Sequence, residues 1–259
     1  MTKILITGGN GYVAKSLYNS LCRDYSVTSV TRNEFDLTDA SQTNQWFSDK
    51  HFDVVIHTAI KGGNRLVADD ASVLDANLQM YYNLLANQQQ YDKFINIGSG
   101  AEVYAKNSPY GLSKLVIQNS IHHKQNFYNL RVYGVFDENE MSTRFIKANV
   151  IRYIQGKDIE IIQDKIMDFF YMEDFISAIR YYVDNTNLPK EFECNYSKSF
   201  YLSEIANKIN NLSSHTVGIT VMNKTAGDNY IGINIPIDIK FLGLDTGIKS
   251  VYEKLLCKK

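Results

Sequence analysis

Few of the residues that punctuate or cross-link a chain occur in this sequence. Of its 259 residues only three are proline and three cysteine. No Gly/Ser-rich stretch divides it, so nothing marks a linker between separable domains. Cys22, Cys194 and Cys257 are an odd number, far apart, with no CxxC pair or Cys/His cluster. That argues against a disulfide framework or a metal site and fits a reducing compartment. Cys22 is expected to pack near the apolar face of the first helix. No uncharged apolar run approaches the ~18 residues of a membrane span. The first strand-like run starts at Lys3, leaving no room for a leader peptide. An excess of one charge is missing too: 27 Lys and Arg face 28 Asp and Glu, a formal net charge of -1. No global field recruits nucleic acid or a membrane surface. The expectation is a cytoplasmic globular protein with neither of those partners. Its 18 tyrosines and 13 phenylalanines, without basic clusters beside them, read as core and pocket wall.

What is present is alternation. Strand-like runs at Lys3–Thr7, Ser26–Thr31, Val54–His57, Phe94–Gly98 and Phe127–Val132 are separated by helical patterns at Gly11–Cys22, Asp39–Asp49, Ser72–Gln90 and Tyr110–His123. On the first helix, Val13, Leu17, Tyr18 and Leu21 share a face. Repeated strand–helix units of this length predict an α/β fold with a doubly wound parallel sheet, whose ligands sit at the carboxyl ends of the strands. From about Thr143 the pattern loosens. Helices are expected at Thr143–Gln155, after Glu173, near Leu202–Leu212 and after Asp245, with a strand at Ile159–Ile162. Residues 1–142 read as a dinucleotide-binding core. Residues 143–259 read as a mixed segment that completes the core and forms a small C-terminal substrate-binding lobe, not a separable domain.

The run KILIT leads directly into Gly8-Gly9-Asn10-Gly11-Tyr12-Val13-Ala14. A glycine-rich turn between a first strand and a first helix lets backbone approach a pyrophosphate, which meets the helix N-terminus. The second strand ends Thr31-Arg32-Asn33. An acidic residue there suits a free ribose 2′-hydroxyl and a guanidinium suits a 2′-phosphate. Arg32, with no carboxylate beside it, favours NADP(H) and leaves NAD(H) open. Asp36 and Leu37 could border the adenine. His57-Thr58-Ala59 ends the third strand, with His57 read as a satisfied structural histidine lining that edge.

Tyr110-Gly-Leu-Ser-Lys114 opens a helix, and residues four apart share a helix face. An ammonium beside a phenol favours the phenolate, so the pair suits proton donation to a carbonyl or abstraction from an alcohol. The pair follows Ile97-Gly98-Ser99-Gly100 at the end of a strand. With TGGNGYVA (7–14), the Asp-Leu of FDLTD (35–39), HTA (57–59), GSGAEVY (98–104), LRVYGVF (130–136) and DFFYMEDF (168–175), the pattern resembles the extended short-chain dehydrogenase/reductases. This is a Rossmann-fold family of NAD(P)-dependent sugar-nucleotide epimerases, dehydratases and reductases. The resemblance implies that Ser99 orients a substrate carbonyl, Tyr110 is the acid/base, and Lys114 binds nicotinamide ribose and tunes Tyr110. Gly8, Asn10, Gly11, Tyr12, Val13, Arg32, Asp36, Leu37, Thr58, Ala59 and Lys114 would line the dinucleotide. A homodimer through the two long helices, 72–90 and 110–123, is implied as well.

The departures from the family pattern are informative. Four residues before Tyr104, where the family usually has its catalytic Ser or Thr, stands Gly100; Ser99 is one residue early. The basic residue usual before Asp168-Phe169 is Met167 here, leaving Lys165 or Arg144 as diphosphate contacts, with Lys61 and Gly100 as further substrate contacts. A 4,6-dehydratase carries an Asp-Glu pair, of which only Glu102 is present. The fucose-synthase type carries a cysteine where Ala101 stands, although Lys61-Gly62-Gly63 and the helix containing Asn77 resemble that subgroup and the dehydrorhamnose reductases. The remaining demand, one hydride and one proton, predicts an NADP(H)-dependent reductase of a 4-keto-(6-deoxy) sugar nucleotide. An NAD-dependent 4-epimerase is the alternative, and a non-catalytic NADP(H)-sensing protein the alternative of another class. The choice of sugar falls to the loops 61–67 and 136–145.

Overall fold

A computed structural model describes residues 1–63 and 67–257; residues 64–66 of the loop expected to shape substrate choice lie outside the described residues. The chain divides into two compact units, residues 1–131 with 179–192, and residues 132–178 with 193–259.

In the first unit, β1 (Lys3–Thr7), α1 (Tyr12–Leu21), β2 (Ser26–Val30), α2 (Ala40–Phe47), β3 (Phe52–His57), α3 (Ala71–Ala86), β4 (Tyr91–Ser99), the single turn α4 (Ala101–Tyr104), α5 (Pro109–His122) and β5 (Phe127–Val132) follow in order. Ile4, Leu5 and Ile6 are each fully buried, as in a parallel strand covered on both faces. Helix starts follow local chemistry. Asp39 and Asp70 accept from the amides of Gln42 and Ser72, and Ser108 accepts from Gly111 N with Pro109 at the first helical position.

The sheet order is β10-β5-β4-β3-β1-β2, where β10 is Glu191–Cys194. β1 pairs in parallel with both β2 and β3. The chain therefore reverses its direction of travel across the sheet between β1 and β3, and the loops after these strands face each other at the carboxyl edge. The buried side of α1 is Ala14, Leu17 and Leu21. Tyr18, expected on that side, is exposed, and Cys22 is the exposed C-cap rather than a packing residue. The heptad-like spacing of 14, 17 and 21 turns both away from the sheet. The long third helix ends at Ala86, with Asn87 and a 3₁₀ turn at Gln88–Gln90 closing it. β4 begins earlier than periodicity suggests, because Lys93, polar in an apolar run, is buried. Its ammonium donates to the carbonyls of Tyr182, Val183 and Asn185, each at 2.7 Å, a C-terminal helix cap.

The second unit holds β6 (Val135–Phe136), α6 (Phe145–Ile154), β7 (Ile159–Gln163), β8 (Ile166–Met167), β9 (Phe170–Tyr171) and the start of α7 (Met172–Asp184). After β10 come β11 (Phe200–Tyr201), α8 (Leu202–Asn210), β12 (Ile219–Asn223) and α9 (Leu244–Leu256). Two-stranded pairings join β6 to β9, β7 to β12 and β8 to β11. Ile146, Val150 and Tyr153 of α6, Ile205 and Ile209 of α8, and Ile248 and Val251 of α9 form its core. Asp174 anchors the approach to α9, accepting from the amides of Leu242 and Gly243 and from the Tyr196 hydroxyl.

Candidate active site

At the carboxyl edge of β1, β2 and β3 a cavity of about 370 Å³ opens, lined by Gly8, Asn10, Gly11, Arg32, Asp36, Leu37, Thr58 and Ala59 among others. Its walls are made by the absence of side chains. Gly8 has φ +73°, and a Cβ there would stand 2.7 Å from Ala59 Cα, so only glycine fits. The turn is closed by Gly11 N donating to Gly8 O (2.8 Å), and Gly9 N donates to Val30 O (2.8 Å). α1 then starts with no side-chain cap, leaving its first amides to meet an anion. Thr7 and Thr58 brace the opposite lip: Thr58 Oγ1 donates to Thr7 O (2.6 Å) and Ala59 N to Thr7 Oγ1 (3.3 Å). These features fit a dinucleotide. Tyr12, Val13 and Lys114 are not among the residues lining this cavity.

The two acids near Arg32 are both engaged. Asp36 accepts from Thr38 N (2.9 Å) and Oγ1 (2.8 Å), and the Thr38 amide, assisted by its hydroxyl and by Arg32, holds the carboxyl below its usual pKa. Glu34, two residues after Arg32, accepts from Thr31 N (2.6 Å) and Oγ1 (2.8 Å), which lowers its pKa as well. A carboxylate therefore does stand at the end of β2, a feature the linear reading missed because the turn after Thr31 brings it back.

Of the candidate catalytic groups, Ser99 and Lys114 meet the end of β4. Ser99 is its last residue, with Oγ accepting from Ala101 N (3.2 Å), and Gly100 is the N-cap of α4. Lys114 is buried, and its ammonium donates to Ile97 O (2.6 Å). Burial lowers its pKa to about 8, with Glu102 opposing. Half-buried Tyr110 packs against the loop after β3. Gly63 has φ +72°, and a Cβ on it would lie 2.9 Å from the Tyr110 ring. Asn77 ties this arrangement together: its Oδ1 accepts from Lys61 N (2.8 Å), and its Nδ2 donates to Lys61 O (3.1 Å) and Ser113 Oγ (3.0 Å). Ser113 Oγ in turn donates to Tyr110 O (2.7 Å).

A row of polar side chains runs across the strands here, in which His57 takes the structural place expected of it while Asn96 and Asn129 were not anticipated. Thr7, His57 and Asn96 are register partners across β1, β3 and β4, so they share one face. Thr7 Oγ1 and His57 Nδ1 are 2.9 Å apart, and Asn96 Nδ2 donates to Asn129 Oδ1 (2.7 Å). Burial, with the nearby Lys114 charge, lowers the His57 pKa to about 3, so the ring is neutral. Asn129 Nδ2 and Arg131 Nε donate to Glu102 Oε2 (3.0 and 2.7 Å), while Glu102 Oε1 accepts from Ser99 N (2.8 Å). Arg131 also reaches Glu191 (2.9 Å). The one available signal was polarity inside apolar strands: Asn96 in FINI, Asn129 and Arg131 in YNLRV.

Three predicted substrate contacts remain to be placed. Lys61 is exposed and donates to Ser72 Oγ (2.7 Å). Arg144 is the exposed N-cap of α6, and Lys165 precedes β8, both in the second unit. No group of three or more metal-ligating side chains occurs among the described residues, and no described helix is long and apolar enough to cross a membrane.

The cradle, the buried lysine and the half-buried tyrosine can be set beside known proteins. The chain is 26% identical over 210 residues to a CDP-abequose synthase of Yersinia pseudotuberculosis, covering 71% of this chain and 74% of that one. In fold it is similar to a UDP-glucose 4-epimerase of Thermotoga maritima (TM-score 0.81, 17% identity, 99% of each chain). It is similar as well to a GDP-mannoheptose C4 reductase of Campylobacter jejuni with NADP bound (TM-score 0.76, 17% identity, 98% of each chain). Residues 4–194 match the NAD dependent epimerase/dehydratase family. The chain belongs to that family and is an NAD(P)-dependent enzyme of the extended short-chain dehydrogenase/reductase type, with a Rossmann-type sheet.

Proposed function

We propose that this enzyme reduces a 4-keto-(6-deoxy) sugar nucleotide with NADP(H), Tyr110 giving the proton to the nascent alkoxide. The observation that carries the reading is the placement of Glu102. An elimination needs a second proton carrier, and Glu102 is the one acid of the 98–104 segment. Both its oxygens are taken by Ser99 N, Asn129 and Arg131, so it offers no free face to a sugar. A reduction needs only one proton. When bound, the nicotinamide supplies the hydride.

Within this reading Lys114, as an ammonium, lowers the cost of proton loss from Tyr110. Ser99 orients the carbonyl. Gly8, Asn10, Gly11, Tyr12, Val13, Arg32, Asp36, Leu37, Thr58 and Ala59 hold the dinucleotide. Arg32 on the cavity wall favours a 2′-phosphate. Lys61, Gly100, Arg144 and Lys165 are the proposed sugar-nucleotide contacts, and the second unit the proposed substrate lobe. The similarity to a CDP-abequose synthase is in keeping with a nucleotide-linked sugar. A homodimer through α3 and α5 belongs to the same proposal, and a monomer in light scattering would remove it.

The test is a panel of 4-keto-6-deoxy sugar nucleotides incubated with NADPH or NADH, with products identified by NMR. Stoichiometric NADPH consumption supports the reductase. Interconversion of sugars without net cofactor change selects a 4-epimerase instead.

A further inference from the structure

Glu102 has no assigned part in the proposed reaction, yet no other charged side chain among the described residues of the first unit is so completely enclosed: 2% of its surface is exposed. A buried carboxylate persists only where donors and a cation meet it. Here three donors converge on its two oxygens, the pattern of the ionised form. One of them is the backbone amide of Ser99. Two residues earlier on the same strand, the carbonyl of Ile97 receives the Lys114 ammonium. Glu102 and Lys114 thus grip adjoining peptides at the end of β4.

We propose that Glu102 is a positioning residue, whose buried carboxylate fixes the Ser99 turn and supplies the counter-charge that keeps Lys114 an ammonium one helical turn from Tyr110. This rests on the Tyr110–Lys114 reading of the active site. The charged and titratable groups around the pair are His57 from β3, Arg131 from β5 and, through Arg131, Glu191 from β10, with Tyr110 one turn before Lys114 on α5. His57 is neutral, and Arg131 divides its guanidinium between Glu102 and Glu191. Glu102 is accordingly the anion that acts on Lys114, raising a pKa that burial alone would depress further. Its own pKa is pushed up by burial, with Arg131, the Ser99 amide and Lys114 opposing.

The test uses Glu102→Gln, Glu102→Asp and the charge-balanced pair Glu102→Gln/Arg131→Gln. The pair removes anion and cation together, so it guards against a variant that fails to fold. Two readouts are taken. In the cofactor-free protein labelled with [¹³Cε]lysine, NMR follows the Lys114 titration, assigned by its absence in Lys114→Met. In the enzyme, kcat and KM are measured against pH. Both Gln variants are expected to titrate Lys114 at lower pH and to lose about tenfold in kcat near pH 8, with little change in KM. Glu102→Asp keeps the charge but shortens the reach, so the titration should stay near its native position while kcat falls through the loosened Ser99 turn.

An unmoved Lys114 titration in the folded double variant overturns the proposal. So does a loss confined to KM. If Tyr110→Phe retains full turnover, the active-site reading fails on its own account, and the NMR titration still decides the part played by Glu102.

Discussion

Around Gly8 the first unit excludes side chains, whereas under Ser99 it concentrates buried charge. The cradle consists of backbone, small residues and a positive φ, and the groups it offers are amides and a helix start. The floor consists of Lys114, Glu102, Arg131, Asn129 and Asn96, all buried and tied by hydrogen bonds. One end is defended by sterics and the other by electrostatics. They should therefore fail differently when altered: the cradle through lost fit, the floor through displaced protonation and lost stability.

The largest contrast should come from Tyr110→Phe. Turnover is expected to fall ~10²–10⁴-fold while NADPH affinity, measured by fluorescence titration, stays at its native value. An undiminished kcat would break the assignment. Next comes Arg131→Met, which leaves Glu102 buried without its cation. Urea unfolding should show a loss of ~3–5 kcal/mol, and a loss within error would mean that the floor is not ionised. Smaller is Gly8→Ala. Strain at φ > 0 costs ~1–3 kcal/mol, and the clash with Ala59 adds loss of dinucleotide binding. Gly156→Ala is the matched control, because Gly156 shares a positive φ (+69°) but a Cβ there meets nothing within 4 Å. Only stability should respond at that site.

Arg32→Ala should weaken NADPH relative to NADH by about tenfold or more, as for a charge-assisted hydrogen bond of ~1.5–3 kcal/mol. Equal effects on both cofactors would remove the 2′-phosphate reading. The smallest effect is on pH dependence. Lys114 titrates near pH 8 in the folded chain, so kcat should decline above that pH as the ammonium is lost. In the unfolded chain the group titrates at ~10.4. Between these values the folded form binds fewer protons, so this group's contribution makes stability rise with pH across the window, the burial penalty being full below it. Native and Lys114→Met proteins melted across pH 7–10 would show whether that rise belongs to Lys114.

Some residues announced themselves in one dimension because their effect is local. The turn Gly8–Gly11 must join a strand to a helix within a few residues, and that demand is written in its glycines. Tyr110 and Lys114 share a face by helix geometry alone. The Ser108 cap and Pro109 at the start of α5 answer a demand just as local. Glu34 failed to announce itself because its carboxylate returns to Thr31 through a turn that side-chain hydrogen bonds define. Cys22 and Tyr18 were misplaced because the helical stripe fixes which residues share a side, but not where the sheet covers it. The short strands β6, β8, β9 and β11 carry two residues each, too few for any period to register. They exist because distant segments happen to be held alongside them.

By itself the amino-acid order determined the strand–helix alternation, the glycine cradle and the tyrosine–lysine pair, since each depends on neighbours within about one helical turn. Only the tertiary structure decided that Asn96, Asn129, Arg131 and Glu102 form a single buried network, and that Gly63 lies against the Tyr110 ring. The contacting pairs are from 27 to 47 positions apart, and their energies arise from enclosure by the sheet and its helices. Burial of charge is a property of the packed molecule, which no short stretch of sequence carries.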